Sequence, residues 1–247
     1  MNIDAMLTRM SDRRAALVTG GAKRVGRAIV ERLAAAGFAV AFTYLSSEAE
    51  AQALAKQIGG LAIRADLTDP DAACLHIFNA FSTFAQDLHV LVNSASTYAA
   101  ADLQHTDTSL TRRLMAIHVE SPLLLAKAFA PQLRKSRGHI VNMVDLLAER
   151  PWPQFLAYCA SKAALGNLTL GLARELAPEV TVNGIAPGVV EWPADYPQSE
   201  REKYLKRVPL NRAGTPTDVA ELVHFLVTSG SYVSGQIIRL DGGRSIT

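Results

Sequence analysis

The sequence predicts a single α/β domain: a doubly wound parallel sheet of about seven strands with helices on both faces. Three observations predict it. Short apolar, β-branched-rich runs alternate with stretches of helical periodicity along the chain, the pattern that strand–helix–strand units require. Three of those runs lack the polar alternation of a half-exposed strand, as strands covered on both faces do. The chain has 247 residues, 49% hydrophobic and 19% charged, which suits one sizeable core.

The elements follow in order. Residues 1–13, from "MNIDAMLTRMSDR", carry charges without an apolar core, so they read as a flexible leader and not as a signal peptide. The domain proper is then 14–247. Strands are expected at "AALVTG" (15–20), "AVAFTY" (39–44), "LAIRAD" (61–66), "VLVNSA" (90–95), "HIVNMV" (139–144), "TVNGIA" (181–186) and "GQIIRL" (235–240). Helical periodicity spans 25–36, 48–58, 70–86, 108–135, 155–177 and 216–228. The irregular stretch "PGVVEWPADYP" (187–197) leads into a short charged helix, "QSEREKYLKR". A lid near 187–210 would sit there, although an ordinary surface loop has the same composition.

Composition excludes several function classes. A net charge of +2 offers no electrostatic case for a nucleic-acid or membrane partner. No apolar run approaches the ~20 residues that span a bilayer. Two cysteines, Cys74 and Cys159, without metal-ligand spacing fit a reducing cytoplasm and a disulfide-free fold.

The first strand runs through "TGGAKRVG" into a helix. Glycines there let backbone approach a ligand, and a helix N-terminus offers free N–H groups to phosphate. The stretch is not a P-loop, because Arg27 and Ala28 stand where Lys and Ser/Thr are needed, and it is not G-x-G-x-x-G. A carboxylate at the end of the second strand would bind the ribose hydroxyls of NAD. Here that strand ends "FTYLSSEAE", with no acid before Glu48. Ser46 and Ser47, with Lys23 and Arg24 in the turn, suit a 2′-phosphate instead and favour NADP(H).

Tyr158 and Lys162 are four residues apart in a helical stretch and share a face. Asp145 follows "HIVNMV", at the carboxyl end of the expected fifth strand. A nicotinamide supplies hydride; the protein must supply a proton and orientation. The Lys162 ammonium is expected to lower the phenol of Tyr158 from its ordinary ~10 and ready it for proton exchange.

In these motifs the chain resembles the short-chain dehydrogenase/reductase family: "TGGAKRVG", "ADLTD", "LVNSAS", "YCASK", "VNGIAPG" and "LDGG" recur in order over essentially the whole length. The resemblance implies a Rossmann-like, nicotinamide-dependent, single-domain oxidoreductase, usually oligomeric, with Tyr158 as proton donor and Lys162 on the nicotinamide ribose. It implies a cofactor site of Gly20, Lys23, Arg24, Val25, Ser46, Ser47, Asp66, Leu67, Asn93, Ser94, Ala95, Tyr158, Lys162, Pro187 and Gly188. A cytoplasmic homotetramer is expected.

Departures from the general family pattern are informative. Arg24 replaces a glycine, "NSAS" (93–96) replaces N-N-A-G, His118 stands at a helix Asn, and Asp145 stands at the usual Ser. All but His118 are similar to the pteridine reductase subgroup. That resemblance implies a pterin or folate-like substrate bound by Arg24, Ser96, Tyr98, Asp145 and Tyr158, with Tyr98 as aromatic platform and Asp145 and Tyr158 protonating ring nitrogen; Trp192, an aromatic of the lid, is expected to join the substrate site. The alternatives are a short-chain carbonyl reductase and a non-catalytic NADP-binding regulator. A carboxyl group suits a basic heterocycle better than it suits a ketone, and a pure binding module needs no proton donor.

Overall fold

The computed structural model describes residues 13–192 and 196–247. The leader expected at the N-terminus lies outside the described residues up to position 12. Arg13 already belongs to the domain, where its guanidinium donates to the Gly37 and Phe38 carbonyls at 3.0 and 3.1 Å.

Seven strands form among the described residues: β1 (Ala15–Thr19), β2 (Ala39–Tyr44), β3 (Leu61–Arg64), β4 (Val90–Asn93), β5 (His139–Met143), β6 (Thr181–Pro187) and β7 (Ile237–Leu240). All pair in parallel, in the order β3-β2-β1-β4-β5-β6-β7. The helices between them are α1 (Arg24–Ala35), α2 (Glu48–Ile58), α3 (Pro70–Phe84), α4 (Thr108–Met115), α5 (Ser121–Ser136), α6 (Leu156–Glu175), α7 (Gln198–Leu205) and α8 (Pro216–Thr228). Among the described residues no helix is long and apolar enough to cross a membrane.

The two-residue period of β1 explains why it reads as unbroken apolar sequence. Leu17 faces a core with Ile77, Phe81, Phe129 and Leu172, from α3, α5 and α6. Ala16 and Val18 face the other layer, with Ile29 and Leu33 of α1, Leu54 of α2 and Val223 of α8. Both faces are covered, so no position in β1 can be polar without a partner. Leu17 is fully buried, and truncating it to Ala would cost about 2–5 kcal/mol. Helix starts are set locally. Asp69 caps α3 by accepting from the Ala72 amide at 3.3 Å, and Thr215 with Asp218 forms a capping box on α8.

One expectation is corrected. The periodicity over 108–135 does not form a single helix. Five residues, Ala116–Glu120, take π geometry between α4 and α5. Pro122 has no N–H for the carbonyl of His118 four residues earlier, and the helix widens just before it. The chain builds β1 to β3 outward and then returns to β4 beside β1, so a crevice opens at their carboxyl ends.

Candidate active site

The turn after β1 is held by close approach. Gly20 has φ +68°, and a Cβ there would lie 2.8 Å from the Ala95 Cα. A Cβ at Gly26 would lie 2.1 Å from the Gly20 carbonyl oxygen, so neither position tolerates a side chain. Thr19 Oγ1 accepts from the Ser94 and Ala95 amides at 3.0 Å each, tying the ends of β1 and β4 together. Among the described residues no side chain caps the start of α1. Its N–H groups, around Arg24 and the half-buried Val25, face the turn without a side-chain acceptor, which suits phosphate.

The cations expected there carry carboxylate partners. Arg24 Nε lies 2.5 Å from Glu191 Oε2, and Lys23 Nζ lies 2.8 Å from Glu50 Oε1. Exposed pairs of this kind are worth ~0–1 kcal/mol, so a bidentate phosphate contact outweighs them. Ser46 is exposed and Ser47 half-buried at the start of α2. Asp66 Oδ1 accepts from the Thr68 amide and hydroxyl at 3.0 and 2.8 Å, and these bonds hold its carboxyl below the usual range. Leu67 is buried, and its carbonyl accepts from Ser121 Oγ.

Farther along the crevice a polar chain enters the core. Asn93 Nδ2 donates to Asn142 Oδ1 at 2.7 Å, and Asn142 Nδ2 donates to Thr169 Oγ1 at 2.9 Å. Asn93 Oδ1 is buried and has no hydrogen-bond partner among the described residues. A buried acceptor left this way costs ~1–3 kcal/mol, so a ligand donor there would be stabilising. Pro187 and Gly188 close β6, and a Cβ at Gly188 would lie 3.0 Å from the Tyr204 hydroxyl.

Asp145, Tyr158 and Lys162 come from the end of β5 and from α6. Asp145 divides its carboxylate between two tasks. Oδ1 accepts from the Leu147 amide at 2.8 Å, capping the short 3₁₀ turn Leu146–Ala148. Oδ2 accepts from the Tyr158 hydroxyl at 2.7 Å. Burial pushes the Asp145 carboxyl up, against the opposing pull of these bonds and of Lys162. The expectation for Tyr158 is reversed: burial first, then the Asp145 charge, push the phenol well above its ordinary value. The reason is geometric. Lys162 Nζ donates to the Met143 carbonyl at 2.7 Å and lies 5.8 Å from the Tyr158 ring centroid, while Asp145 occupies the hydroxyl. Burial also lowers the Lys162 ammonium to about 8.

Tyr98 stands beside this group. Its ring stacks on Phe155 at 4.5 Å and meets Tyr158 edge-on at 5.0 Å; it is 52% exposed, so part of the platform faces outward. Ser96 Oγ lies 2.9 Å from His118 Nε2. Trp192, by contrast, belongs to a cluster with Tyr196 and Tyr204 at 4.9 and 5.4 Å. The structure therefore gathers Ser96, Tyr98, Asp145 and Tyr158 at one place and sets Trp192 in a neighbouring aromatic group on the 187–210 segment.

Several participants gave little sequence signal. Thr19, Asn142 and Ser161 act through hydrogen bonds to residues distant in sequence, and Phe155 through a ring contact. Glu191 reaches Arg24 across 167 positions. His118 could be singled out only by its place in "AIHVESP".

Comparison with known proteins agrees with this geometry. A family model described as enoyl-(acyl carrier protein) reductase matches residues 20–245. A dihydromonapterin reductase of Klebsiella pneumoniae subsp. pneumoniae is 31% identical, with 93% of this chain and 96% of that protein covered. Pteridine reductase 1 of Leishmania tarentolae is also 31% identical, with 94% and 96% covered. The crystal structure of a blue fluorescent protein from a metagenomic library, in complex with NADPH, superposes with a TM-score of 0.88 at 34% identity, covering 96% of this chain and 99% of that one. A Serratia marcescens short-chain dehydrogenase/reductase variant gives 0.87 at 32% identity, covering 96% and 99%. With sheet order, crevice and full-length similarity all in agreement, the chain belongs to the short-chain dehydrogenase/reductase family of oxidoreductases.

Proposed function

We propose that this protein is an NADPH-dependent reductase of a pterin, a dihydropteridine or dihydrofolate-like C=N bond, and that Asp145 with Tyr158 handles the proton. The observation that carries the reading is the 2.7 Å contact between Asp145 Oδ2 and the Tyr158 hydroxyl, in a buried setting that raises both groups. A carboxyl pushed up by burial is a better reservoir for a proton bound for ring nitrogen than a serine hydroxyl is.

The residues present fit the dinucleotide. Gly20 and Gly26 leave room for its backbone approach, the uncapped start of α1 and Arg24 suit phosphate, and Asn93 Oδ1 awaits a donor. When bound, NADPH supplies the hydride. The chain's own residues do the rest. Arg24, Lys23, Ser46 and Ser47 would bind the 2′-phosphate side, with Glu191 and Glu50 released from the cations. Lys162, fixed by the Met143 carbonyl, would orient the ribose. Tyr98 would hold the flat heterocycle while Tyr158 delivers its proton and Asp145 steers the hydroxyl. The segment 187–210 serves as lid, with Trp192 reaching the substrate on closure.

The reading extends to a cytoplasmic homotetramer. Exposed Leu123 on α5 and Leu156 and Leu170 on α6 support pairing of these helices across a two-fold axis. The test of function is NADPH consumption with dihydrobiopterin, dihydrofolate and a panel of ketones. Turnover confined to the pterins is expected; turnover confined to ketones would return the protein to the carbonyl reductases.

A further inference from the structure

His118 lies in the π-helical turn Ala116–Glu120 and is 1% exposed. Both of its ring nitrogens are engaged. Nε2 lies 3.3 Å from the Thr97 amide and 2.9 Å from Ser96 Oγ. Nδ1 lies 2.8 Å from Ser161 Oγ, which in turn donates to the Tyr158 carbonyl at 2.7 Å. Such π turns occur often at functional sites, and nothing in the proton chemistry above uses this imidazole.

The hydrogen positions follow by elimination. A backbone amide can only donate, so Nε2 must accept from Thr97. In a neutral imidazole the other nitrogen then carries the proton. Nδ1–H donates to Ser161 Oγ, whose own proton is committed to the Tyr158 carbonyl. Burial, with Lys162 as a second cause, lowers the imidazole to about 2, so the ring is neutral at any working pH. Ser96 must therefore be the donor in its contact with Nε2, and a serine has one proton to give. The neighbouring Tyr158 hydroxyl also contacts the Ser96 hydroxyl and sends its own proton to Asp145 Oδ2.

We propose that His118 is a positioning residue that takes the proton of Ser96, so that Ser96 presents only lone pairs to the crevice and accepts an N–H of the heterocyclic substrate. A carbonyl oxygen brought to the same place would meet no donor from Ser96. The identity of the N–H rests on the pterin reading; the polarity of Ser96 does not.

Two side chains separate this role from a merely structural one. The terminal amide of Gln reaches the position of Nε2, where the Thr97 amide selects its oxygen and Ser96 keeps its polarity. The amide of Asn reaches only the position of Nδ1, keeping Ser161 and losing Ser96. With dihydrobiopterin and NADPH, His118→Gln should hold kcat/KM within about threefold, and His118→Asn should lose about tenfold, the scale of one misdirected hydrogen bond. The loss should fall on the KM for pterin and not on that for NADPH. Equal losses in the two variants, or a better Asn variant, would overturn the proposal. A second measurement needs no variant kinetics. Nitrogen-15 NMR of histidine-labelled wild type, its six histidines distinguished with the His118→Gln spectrum, should show His118 protonated at Nδ1 and bare at Nε2 from pH 5 to 8. A proton on Nε2 would refute it. If the wild type reduces no pterin, the proposed function fails while the NMR result still decides the polarity of Ser96.

Discussion

Asp145 Oδ2 accepts the hydroxyl proton of Tyr158 at 2.7 Å, while Oδ1 of the same carboxylate caps the Leu147 amide at 2.8 Å. One side chain thus joins the local turn to the crevice chemistry, and the two roles can be separated. Serine can also cap a turn. Asp145→Ser keeps a capping oxygen, a change worth at most ~1 kcal/mol, and takes away the acceptor of the Tyr158 hydroxyl. It should lower kcat/KM for a dihydropterin by ~10²- to 10⁴-fold, the scale of a general-acid partner. Any ketone activity should fall less or rise. Steady-state kinetics with both substrates, alongside thermal melts, checks this; equal effects on the two substrates would remove the pterin-specific role.

Tyr158→Phe keeps the ring that packs with Leu114, Leu147 and Cys159 and removes only the hydroxyl. NADPH binding, followed by fluorescence, should be nearly unchanged, and reductase turnover should drop by about 10²-fold or more. Lys162→Met should damage both, because on the proposed reading the ammonium fixed on the Met143 carbonyl orients the ribose. Near-wild-type turnover in the Phe variant would move the proton source to Asp145.

Arg24→Ala should raise the KM for NADPH more than Ser47→Ala does, since a guanidinium–phosphate contact outweighs one hydroxyl. Glu191→Gln releases Arg24 from an exposed ion pair. Its effect should be small, a decrease in that KM of no more than about fivefold. An increase on Glu191→Gln would mean that the carboxylate itself holds ligand.

His118, His89 and His139 are all lowered by burial. A group depressed in the fold contributes stability that is present above its unfolded pKa and lost as pH falls, because the unfolded chain takes up the proton first. For His118, lowered from 6.5 to about 2, the loss between pH 7 and 5 is about 2 kcal/mol. Asp145 runs the other way: raised in the fold, it stabilises at low pH and loses that contribution as pH rises through its folded value. It is common to both proteins in the comparison. Denaturant unfolding at pH 7 and 5 should show a smaller acid loss in His118→Gln than in the wild type. Identical losses would contradict a neutral His118.

Light scattering at micromolar concentration should report an oligomer of four copies. Leu123→Glu combined with Leu170→Glu, both on exposed positions of α5 and α6, should shift it toward smaller species without unfolding the domain. A monomeric wild type would end the tetramer assignment.

Much of this protein is written locally. Apolar β-branched runs and helical periods place the seven strands and the major helices, because burial within and against a sheet imposes those patterns on the chain itself. Gly20 and Gly26 are legible for the same reason: a turn that tight leaves no space for a side chain. The pairing of Asp145 with Tyr158 was also foreseeable, since a strand end and the next helix meet at the carboxyl edge of the sheet. What the sequence could not determine are properties set by several segments at once. The direction of the Tyr158 shift depends on its burial and on the Asp145 carboxylate at its hydroxyl, while Lys162 Nζ is tied to a backbone carbonyl. Arg24 and Glu191 meet across 167 positions because the start of α1 and the chain just after β6 converge on one crevice. The hydrogen-bond polarity of Ser96 needs the Thr97 amide, the Ser161 hydroxyl and a π turn that breaks an otherwise helical pattern. Hydrogen bonds require geometry to a few tenths of an ångström, and only the folded chain, with all three segments in contact, supplies it.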